Sequence, residues 1–307
     1  MSPPPDPHRE GTAALCRLIV KQVPHFRCRP YLADVHGLES ALADGLECSL
    51  EGEFCWSLCF SIEFIAALCF EGFLPICCDL GLDCNLFVLL PKLHAERCVM
   101  QWTDLHVPKK TRRHAKWYTL TVGKAFDAVV SRCIAQHGES WLHAPVRRGL
   151  SALAATRHEG ACKAAAAAPR STSVQIISFE LWRAGELVAG EIGAAVGRSY
   201  TSFSGFHEVD NAGSVQIALT AKVLEAAGFA WWDMGQYHEY KVRHGARMLP
   251  RQAFLADFRR ERHRHNSMAE QLACHGNCFD GAAWIGNGAA DGRCERASAA
   301  GCKGAQA

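Results

Sequence analysis

Past residue 172, hydrophobic residues fall into short runs that are separated by turn residues. The runs cover 174–182, 187–195 and 199–204, and glycine-containing turns lie between them at 183–186 and 197–198. Apolar runs of this length, joined by tight turns, predict antiparallel strands. We therefore expect a three-stranded meander in this part of the chain.

A helical period follows the meander. Asp210 or Asn211 is suited to cap a helix in which apolar residues recur at three-to-four spacing over 215–224, and Gly228 ends it. The pattern then predicts a strand over 230–234 and a helix that begins at Pro250.

The first hundred residues show a mixed pattern. Their spacing predicts helices over 18–23 and 54–70, and the glycine and proline of 72–75 end the second one. A short apolar run predicts a buried strand over 86–90. We expect a small N-terminal α/β domain over 1–100.

The central part combines a strand predicted over 117–122 with a helix over 125–135. An alanine-rich stretch at about 156–172 predicts a surface insertion. With the meander, these elements give an α+β fold class, in which a mixed, mainly antiparallel sheet is flanked by helices over 101–265.

Residues 266–307 are rich in Gly, Ala and Cys and lack periodicity, so we predict a disordered, low-complexity tail. Cys274, Cys278, Cys294 and Cys302 loosely resemble a zinc-binding set, but they lack a tightly spaced second pair. We therefore expect no metal.

Composition places the chain among folded globular proteins. It has 307 residues, 49% of them hydrophobic, and a formal charge of +2, so any nucleic-acid binding must rest on a local basic patch. No apolar run is long enough to span a membrane, and the proline-rich start does not resemble a signal peptide. We expect a cytoplasmic protein whose 16 cysteines are mostly reduced, buried thiols.

The sharpest charge feature is a run of five cations within eight residues, which we call the basic run. Its members are Lys109, Lys110, Arg112, Arg113 and Lys116. Clustered cations of this kind neutralise RNA phosphates, and Trp102 or Trp117 could stack on unpaired bases. A solvated charged surface is the alternative.

Several short motifs occur in the order that one known family has. Residues 71–75 resemble its glycine-x-phenylalanine-proline turn, 105–110 its histidine-led basic segment, and 140–142 its threonine-tryptophan-isoleucine. The hairpin over 179–193 is similar to its serine-valine-glutamate-x-tryptophan and leucine-valine-glycine-glycine run. The last such segment, residues 244–251, resembles the family's leucine-glycine-alanine and isoleucine-proline-arginine motifs. The family is that of the leucyl/phenylalanyl-tRNA-protein transferases, which implies an N-acyltransferase-like catalytic domain.

The chain also departs from the bacterial pattern of this family. Where bacterial members carry glycine-glutamate-serine-methionine-phenylalanine, residues 201–206 lack the carboxylate. The family's aspartate-x-glutamine becomes Asp233-Met234-Gly235, with Gln236 one place late. A double-tryptophan-serine-proline segment is replaced by residues 88–91. The departures concern the expected substrate pocket.

The resemblance implies that an amino acid, Leu or Phe, passes from aminoacyl-tRNA to the N-terminal amine of an acceptor protein and marks that protein for degradation. An ester is already activated, so the enzyme chiefly orients the amine and stabilises charge, and no cofactor is expected. The resemblance gives Asp233 a catalytic role, with Gln236 as the candidate replacement for the missing glutamine. An aspartate at a strand end also commonly caps a turn, here beside Gly235.

Six residues of the meander and of the next strand are candidates for substrate binding: Glu180, Glu191, Phe203, Ser204, Phe206 and Trp232. The two carboxylates would hold a basic N-terminal residue of the acceptor, and the aromatic rings would shape the pocket for Leu or Phe. Solvated strand carboxylates and ordinary core aromatics are the alternatives.

The expected partners are therefore aminoacyl-tRNA and acceptor proteins with a specific, basic N-terminal residue, bound by a monomer with no membrane contact. An acyl-CoA-dependent N-acetyltransferase is one alternative, although residues 204–208 lack the glycine spacing that cradles a pyrophosphate. A homologue that binds RNA or protein without turnover is the other.

Overall fold

The structure, a computed structural model, describes residues 7–81, 86–155 and 173–286. The elements before residue 101 are α1 (Pro7–Gln22), α2 (Val35–Ala43), α3 (Leu46–Ser49), α4 (Ile62–Phe70), β1 (Leu74–Asp79), β2 (Phe87–Lys92) and β3 (Glu96–Met100). Strands β1 and β2 form a separate antiparallel ribbon. The predicted insertion at 156–172 lies outside the described residues.

The helix predicted over 54–70 is wrong in its first half, because α4 begins only at Ile62. The side chain of Ser61 caps α4 by accepting a hydrogen bond from the backbone N–H of Phe64 at 3.2 Å. Upstream, the backbone is extended instead, and Phe54 and Ser57 bridge to β2. The hydrophobic pattern alone did not distinguish the extended segment before residue 61 from the helix that follows it.

The elements from 101 to 207 are α5 (Lys109–His114), β4 (Thr119–Val122), α6 (Phe126–His137), α7 (Ala144–Ala155), β5 (Val174–Arg183), β6 (Glu186–Val196) and β7 (Ser199–His207). The predicted meander is confirmed, since β5, β6 and β7 pair antiparallel in sequence order.

The remaining elements are α8 (Ala212–Ala226), β8 (Trp231–Asp233), α9 (Glu239–Arg243), β9 (Arg247–Pro250), α10 (Arg251–Glu261), α11 (Met268–His275), β10 (Cys278–Asp280) and α12 (Gly281–Ile285). The helix predicted after residue 211 and the strand predicted over 230–234 correspond to α8 and β8.

The main sheet has the strand order β10-β4-β5-β6-β7-β8-β3-β9. The pair β7–β8 is parallel and the other pairs are antiparallel, so the α+β class with a mixed, mainly antiparallel sheet is confirmed. Helices α4, α6, α7 and α10 pack in the core on one face, and α8, α11 and α12 pack in the core on the other.

The segment predicted as a low-complexity tail differs from that prediction in its first part. Residues 268–285 form α11, β10 and α12, and β10 adds an edge strand to the sheet by pairing with β4. Buried Phe279 and Trp284 anchor it in the core. Residues 287–307 lie outside the described part of the chain.

The predicted domain boundary at residue 100 stays a prediction, and β3, which precedes it, pairs with β8 and β9. Within the described residues, no helix is both long and apolar enough to cross a bilayer. Every described cysteine is a free thiol. Burial raises the pKa of Cys55, Cys69, Cys77 and Cys133 to about 12, so these thiols stay protonated at neutral pH.

Candidate active site

The main sheet opens between β7 and β8. The two strands pair only where Ser199–Thr201 meets Trp231–Asp233. Strand β8 then ends, while β7 continues to His207. The register with β6 also shifts here, which leaves Phe203 as an extra residue on β7. A β-bulge bends its strand and redirects side chains, so the opening is built into the backbone.

Glu191 lies beside this opening and is 9% exposed. The hydroxyl of Ser202 donates to its Oε2 at 3.0 Å, and the indole N–H of Trp232 donates to that hydroxyl oxygen at 2.7 Å. Within the described residues, Glu191 Oε1 has no partner at normal hydrogen-bond geometry, but the buried Tyr200 hydroxyl is close enough to stabilise the charged carboxylate. One oxygen of a buried carboxyl is therefore held in place, and a second hydroxyl lies next to the group.

Burial dominates the electrostatics of Glu191. Loss of solvation raises the pKa of its carboxyl from the ordinary 4.5 to about 8, although the hydroxyls of Ser202 and Tyr200 and the nearby Lys241 charge act in the opposite direction. A carboxyl with a pKa near the working pH can both accept and return a proton.

Tyr200 lies against the same carboxyl, and burial followed by the Glu191 charge raises its pKa well above 10. Gly193 makes room for its ring: a Cβ at that position would lie 2.7 Å from the hydroxyl oxygen of Tyr200 and 2.3 Å from the backbone oxygen of Thr201. Close packing of Tyr200 and Thr201 therefore explains why residue 193, in the hairpin that resembles the family motif, is a glycine.

Asp233 is fully buried, and both of its oxygens have partners. Arg97, also fully buried, donates to Oδ2 at 2.5 Å, and the backbone N–H of Gly235 donates to Oδ1 at 2.9 Å. A second Arg97 nitrogen donates to the backbone oxygen of Gly72 at 2.7 Å. The turn-capping alternative for Asp233 is thus observed, since the carboxylate holds the backbone at Gly235.

The two carboxyl groups belong to opposite faces of the sheet. Side chains alternate along β8, so Trp231 packs in the core that contains α10, and Trp232 packs in the core that contains α8. Asp233 therefore lies on the face of Trp231, while Glu191 is bonded to the face of Trp232 through Ser202. The structure does not bring Asp233 and Glu191 into one hydrogen-bonded group.

The loop after β8 is pinned by a buried lysine. The ammonium group of Lys241 donates to the backbone oxygens of Met234 and Gln236, at 2.5 and 3.0 Å. Gln236 itself is exposed, and its side-chain amide contacts the ring of His238 at 3.1 Å. The catalytic role predicted for Gln236 stays a prediction. Its side chain lies in the loop after β8 and is accessible to solvent.

Glu180 is fully buried and surrounded by donors. The hydroxyls of Thr121 and Ser178 donate to it, and so do the backbone N–H groups of Lys124 and Ala125, just before α6. These four contacts use the carboxylate to fix the start of α6. Its predicted role in substrate binding stays a prediction that these contacts do not support.

The other candidates differ in their access to the opening. Phe206 and Trp232 are buried in the two cores, at 4% and 0% exposure. Phe203 and Ser204 are half-buried, and the ring of Phe203 meets Trp141 edge to face at a centroid distance of 6.5 Å. Phe203 and Ser204 are therefore the accessible members of this group.

The basic run forms the exposed surface of α5 and the turn after it. A cavity of about 580 Å³ opens there, which we call the basic cavity. It is lined by Lys110, Arg112, Arg113, His114, Lys116, Trp117, Ala282 and Gly286. Lys109 is exposed at the start of α5. The structure thus gathers four of the five predicted cations around one exposed tryptophan.

Sequence reasoning missed Arg97, Ser202 and Lys241 as site residues. Arg97 carried a signal, because it opens the apolar run of β3, and a charged residue inside a buried strand requires a charged partner. Ser202 and Lys241 carried none. Within the described residues, no cluster of His, Cys, Asp and Glu could hold a metal ion.

Comparison with known proteins gives a consistent family. The sequence profile described as "Leucyl/phenylalanyl-tRNA protein transferase" matches residues 99–259. A protein named "Leucyl/phenylalanyl-tRNA--protein transferase" from Nitratidesulfovibrio vulgaris (strain DP4) is 31% identical over 166 residues, which are 52% of this chain and 64% of the relative. One of the same name from Shewanella denitrificans is 29% identical over 174 residues, 55% of this chain and 67% of the relative.

Among solved structures, the C-terminal domain of a lysylphosphatidylglycerol synthetase from Agrobacterium fabrum aligns over 75% of this chain and 73% of its own, with 12% identity and a TM-score of 0.30. A score this low supports no argument about this chain. The sequence alignment with the first relative spans less than two thirds of that relative. The profile match covers more than half of the chain and includes the meander, Glu191 and Asp233; the chain therefore belongs to the leucyl/phenylalanyl-tRNA-protein transferase family.

Proposed function

We propose that this chain transfers Leu or Phe from aminoacyl-tRNA to the N-terminal amine of an acceptor protein. Family membership over residues 99–259 is the observation that carries the proposal. The exposed cations of the basic cavity support an RNA substrate. A buried carboxyl with a raised pKa, beside an opening in the sheet, supports chemistry on an amine.

Glu191 is the proposed proton acceptor. A free α-amino group has a pKa of about 7.7–8.0, which matches the pKa of about 8 that burial gives Glu191. The proton therefore moves from the bound ammonium group to the carboxylate at little cost in free energy. Ser202 keeps the carboxyl oriented during this transfer.

The remaining step conserves atoms and charge. The neutral amine attacks the ester carbonyl carbon, a C–N bond forms, and the bond from that carbon to the 3′ oxygen of the tRNA breaks. Protonated Glu191 is the proposed source of the proton that the leaving 3′ oxygen takes up as the ester bond breaks. The carboxylate formed in this way then accepts the second amine proton and releases it to solvent, which returns the enzyme to its starting state. Asp233 acts as a positioning residue, because it fixes the backbone at Gly235 and does not face Glu191.

The acceptor's first side chain is proposed to lie over the loop after β8. Tyr237 is 59% exposed there, and exposed aromatic faces attract cations. Tyr240 is 49% exposed, but its ring already stacks on His238 and has the Lys241 ammonium nitrogen 5.8 Å from its centroid. This arrangement supports the predicted preference for a basic N-terminal residue. The predicted monomeric state is kept as part of the proposal, and gel filtration tests it.

The test supplies leucyl-tRNA and phenylalanyl-tRNA with labelled amino acid to purified protein, together with peptides that begin with Arg, Lys, Asp or Gly. Label on the Arg and Lys peptides is expected. Labelled acetyl-CoA runs in parallel. Label from acetyl-CoA alone would instead establish an N-acetyltransferase, and RNA binding without any label would establish a non-catalytic homologue.

A further inference from the structure

The basic cavity has one wall that the family profile does not reach. Ala282 and Gly286 line it, and both belong to the C-terminal segment, which we define as residues 268–286. The profile match ends at residue 259. The opposite wall is the basic run, so the cavity joins a family segment to one that lies outside the match.

The C-terminal segment is fixed closely against the turn that carries Trp117. Strand β10 pairs with β4, with Phe279 opposite Leu120. The backbone N–H of Gly281 donates to the oxygen of Tyr118 at 3.0 Å. A Cβ on Gly281 would lie 2.2 Å from the backbone oxygen of Ala115. Only glycine allows this backbone contact, so the position of α12 relative to Trp117 is defined.

Trp117 is 49% exposed, although its size and aromaticity favour burial. The ammonium nitrogen of Lys116 lies 5.1 Å from the ring centroid, and the guanidinium carbon of Arg183 lies 6.0 Å from it. The ring of His114 lies 5.1 Å away. Lys116 and Arg183 lie over the ring, so a stacking base would take their place on it and their charges would meet its phosphate. Such a ring matches an unpaired nucleotide, whose base stacks and whose phosphate needs positive charge.

We propose that the C-terminal segment and the basic run together form a pocket for one unpaired nucleotide of the RNA substrate, with its base stacked on Trp117. The identity of the RNA as tRNA rests on the proposed function. By strand spacing and register, Trp117 lies roughly 20 Å from Glu191, a distance that a short stretch of unpaired 3′ nucleotides can cover.

The first experiment measures binding of uncharged tRNA over a range of salt concentrations. Trp117→Ala should weaken binding about tenfold, because stacking contributes about 1–3 kcal/mol per base. It should leave the salt slope unchanged, and Trp117→Phe should recover part of the affinity. Lys116→Ala should instead lower the salt slope by about one unit. When the unpaired 3′ nucleotides are trimmed from the tRNA, Trp117→Ala should have no further effect.

The second experiment uses a matched pair on α12. Ala282 and Ala283 are adjacent and both exposed, but only Ala282 lines the basic cavity. Ala282→Glu should weaken tRNA binding about tenfold, and Ala282→Lys should strengthen it. Ala283→Glu adds the same charge on the same helix and should change affinity less than twofold. Circular dichroism shows that each variant is folded.

Equal effects of Ala282→Glu and Ala283→Glu would overturn the proposal, as would an unchanged affinity in Trp117→Ala. Competition by polyglutamate as effective as that by tRNA would also overturn it, since the cavity would then be a general anion site. The experiments distinguish failure of the nucleotide pocket from failure of the proposed function. Transfer that does not depend on Trp117 would reject the pocket. RNA binding that depends on Trp117, without any transfer, would reject the enzymatic activity.

Discussion

Each face of the main sheet carries a buried carboxyl group, and the two groups differ in their partners. On one face Asp233 meets a buried arginine and a backbone N–H, so both of its oxygens are satisfied. On the other, Glu191 meets two neutral hydroxyls, those of Ser202 and Tyr200. A saturated ion pair stabilises one geometry, whereas a carboxyl among neutral hydroxyls, with a pKa near the working pH, can exchange a proton. Burial alone therefore does not distinguish a structural carboxyl from a reactive one; the partners do.

The largest effect is expected on the saturated face. Asp233→Ala leaves Arg97 charged and buried without its partner, which should lower the free energy of unfolding by about 3–5 kcal/mol. Urea denaturation followed by circular dichroism measures this loss.

A double variant then separates stability from chemistry at the same position. Arg97→Met with Asp233→Leu replaces the ion pair with apolar side chains, and such replacements are often neutral for stability. Recovered stability with reduced but measurable transfer is expected, because leucine cannot accept the hydrogen bond from the Gly235 N–H that positions the loop, while Glu191 is unchanged. A stable double variant without transfer would instead give Asp233 a direct catalytic role.

On the opposite face, Glu191→Gln keeps the shape of the side chain but removes proton exchange. Transfer should fall about 100-fold, the lower end for a general acid or base, while tRNA binding stays near wild type. The wild-type rate should rise more steeply toward pH 8 than the rate of the variant, because both Glu191 and the substrate amine lose a proton in the wild type and only the amine does so in the variant. Rates of label transfer from pH 6.5 to 8.5 check both points. A variant with full activity would remove Glu191 from the mechanism.

The same residue predicts how stability depends on pH. The folded-state pKa of Glu191 is about 8, above the ordinary 4.5, so its contribution to stability is fully present below about pH 4.5 and is lost as pH rises to 8. Over that window the wild type should lose about 1.4 kcal/mol per pH unit relative to Glu191→Gln. Urea titrations of both proteins at pH 5, 6, 7 and 8 measure the difference. Parallel curves would mean that Glu191 is ionised in the folded protein at pH 5.

The smallest effect is expected on peptide binding, in the loop that follows β8. Tyr237→Leu removes the more exposed of the two aromatic rings in the loop after β8, and cation–π contacts at exposed sites contribute about 0.5–1 kcal/mol. The KM for Arg-initiated peptides should therefore rise about two- to fivefold, with kcat unchanged. Peptides that begin with Gly serve as the control, and an equal rise for them would argue against cation recognition.

The sequence predicted the parts of the fold that depend on local pattern. The meander follows from apolar runs between turns, α8 from its apolar period and from Gly228 at its end, and the basic run was visible as charge. The predicted cap is wrong in its chemistry, because Asn211 precedes α8 but its side chain makes no capping hydrogen bond. The partners of Asp233 and Glu191 were not predictable, because Arg97 is 136 positions from Asp233 and Ser202 faces Glu191 only through a bulged register. The strand β10 was missed for another reason: three residues in a Gly- and Cys-rich stretch carry no period, and their pairing depends on β4.

The long sequence separation of Arg97 and Asp233 affects the order in which the chain can fold during synthesis. Ribosomes add about 5–20 residues per second, so the 136 positions between the two residues take roughly 7–27 s to synthesise. During that interval the Arg97 guanidinium has no carboxylate to meet and must stay hydrated, which keeps β3 out of its place in the sheet. The meander can pair as soon as residue 207 emerges, because its contacts are local. Closing the sheet across β8 and β3 is therefore expected to be a late event for a nascent chain, and the stage at which a chaperone would find exposed strand edges.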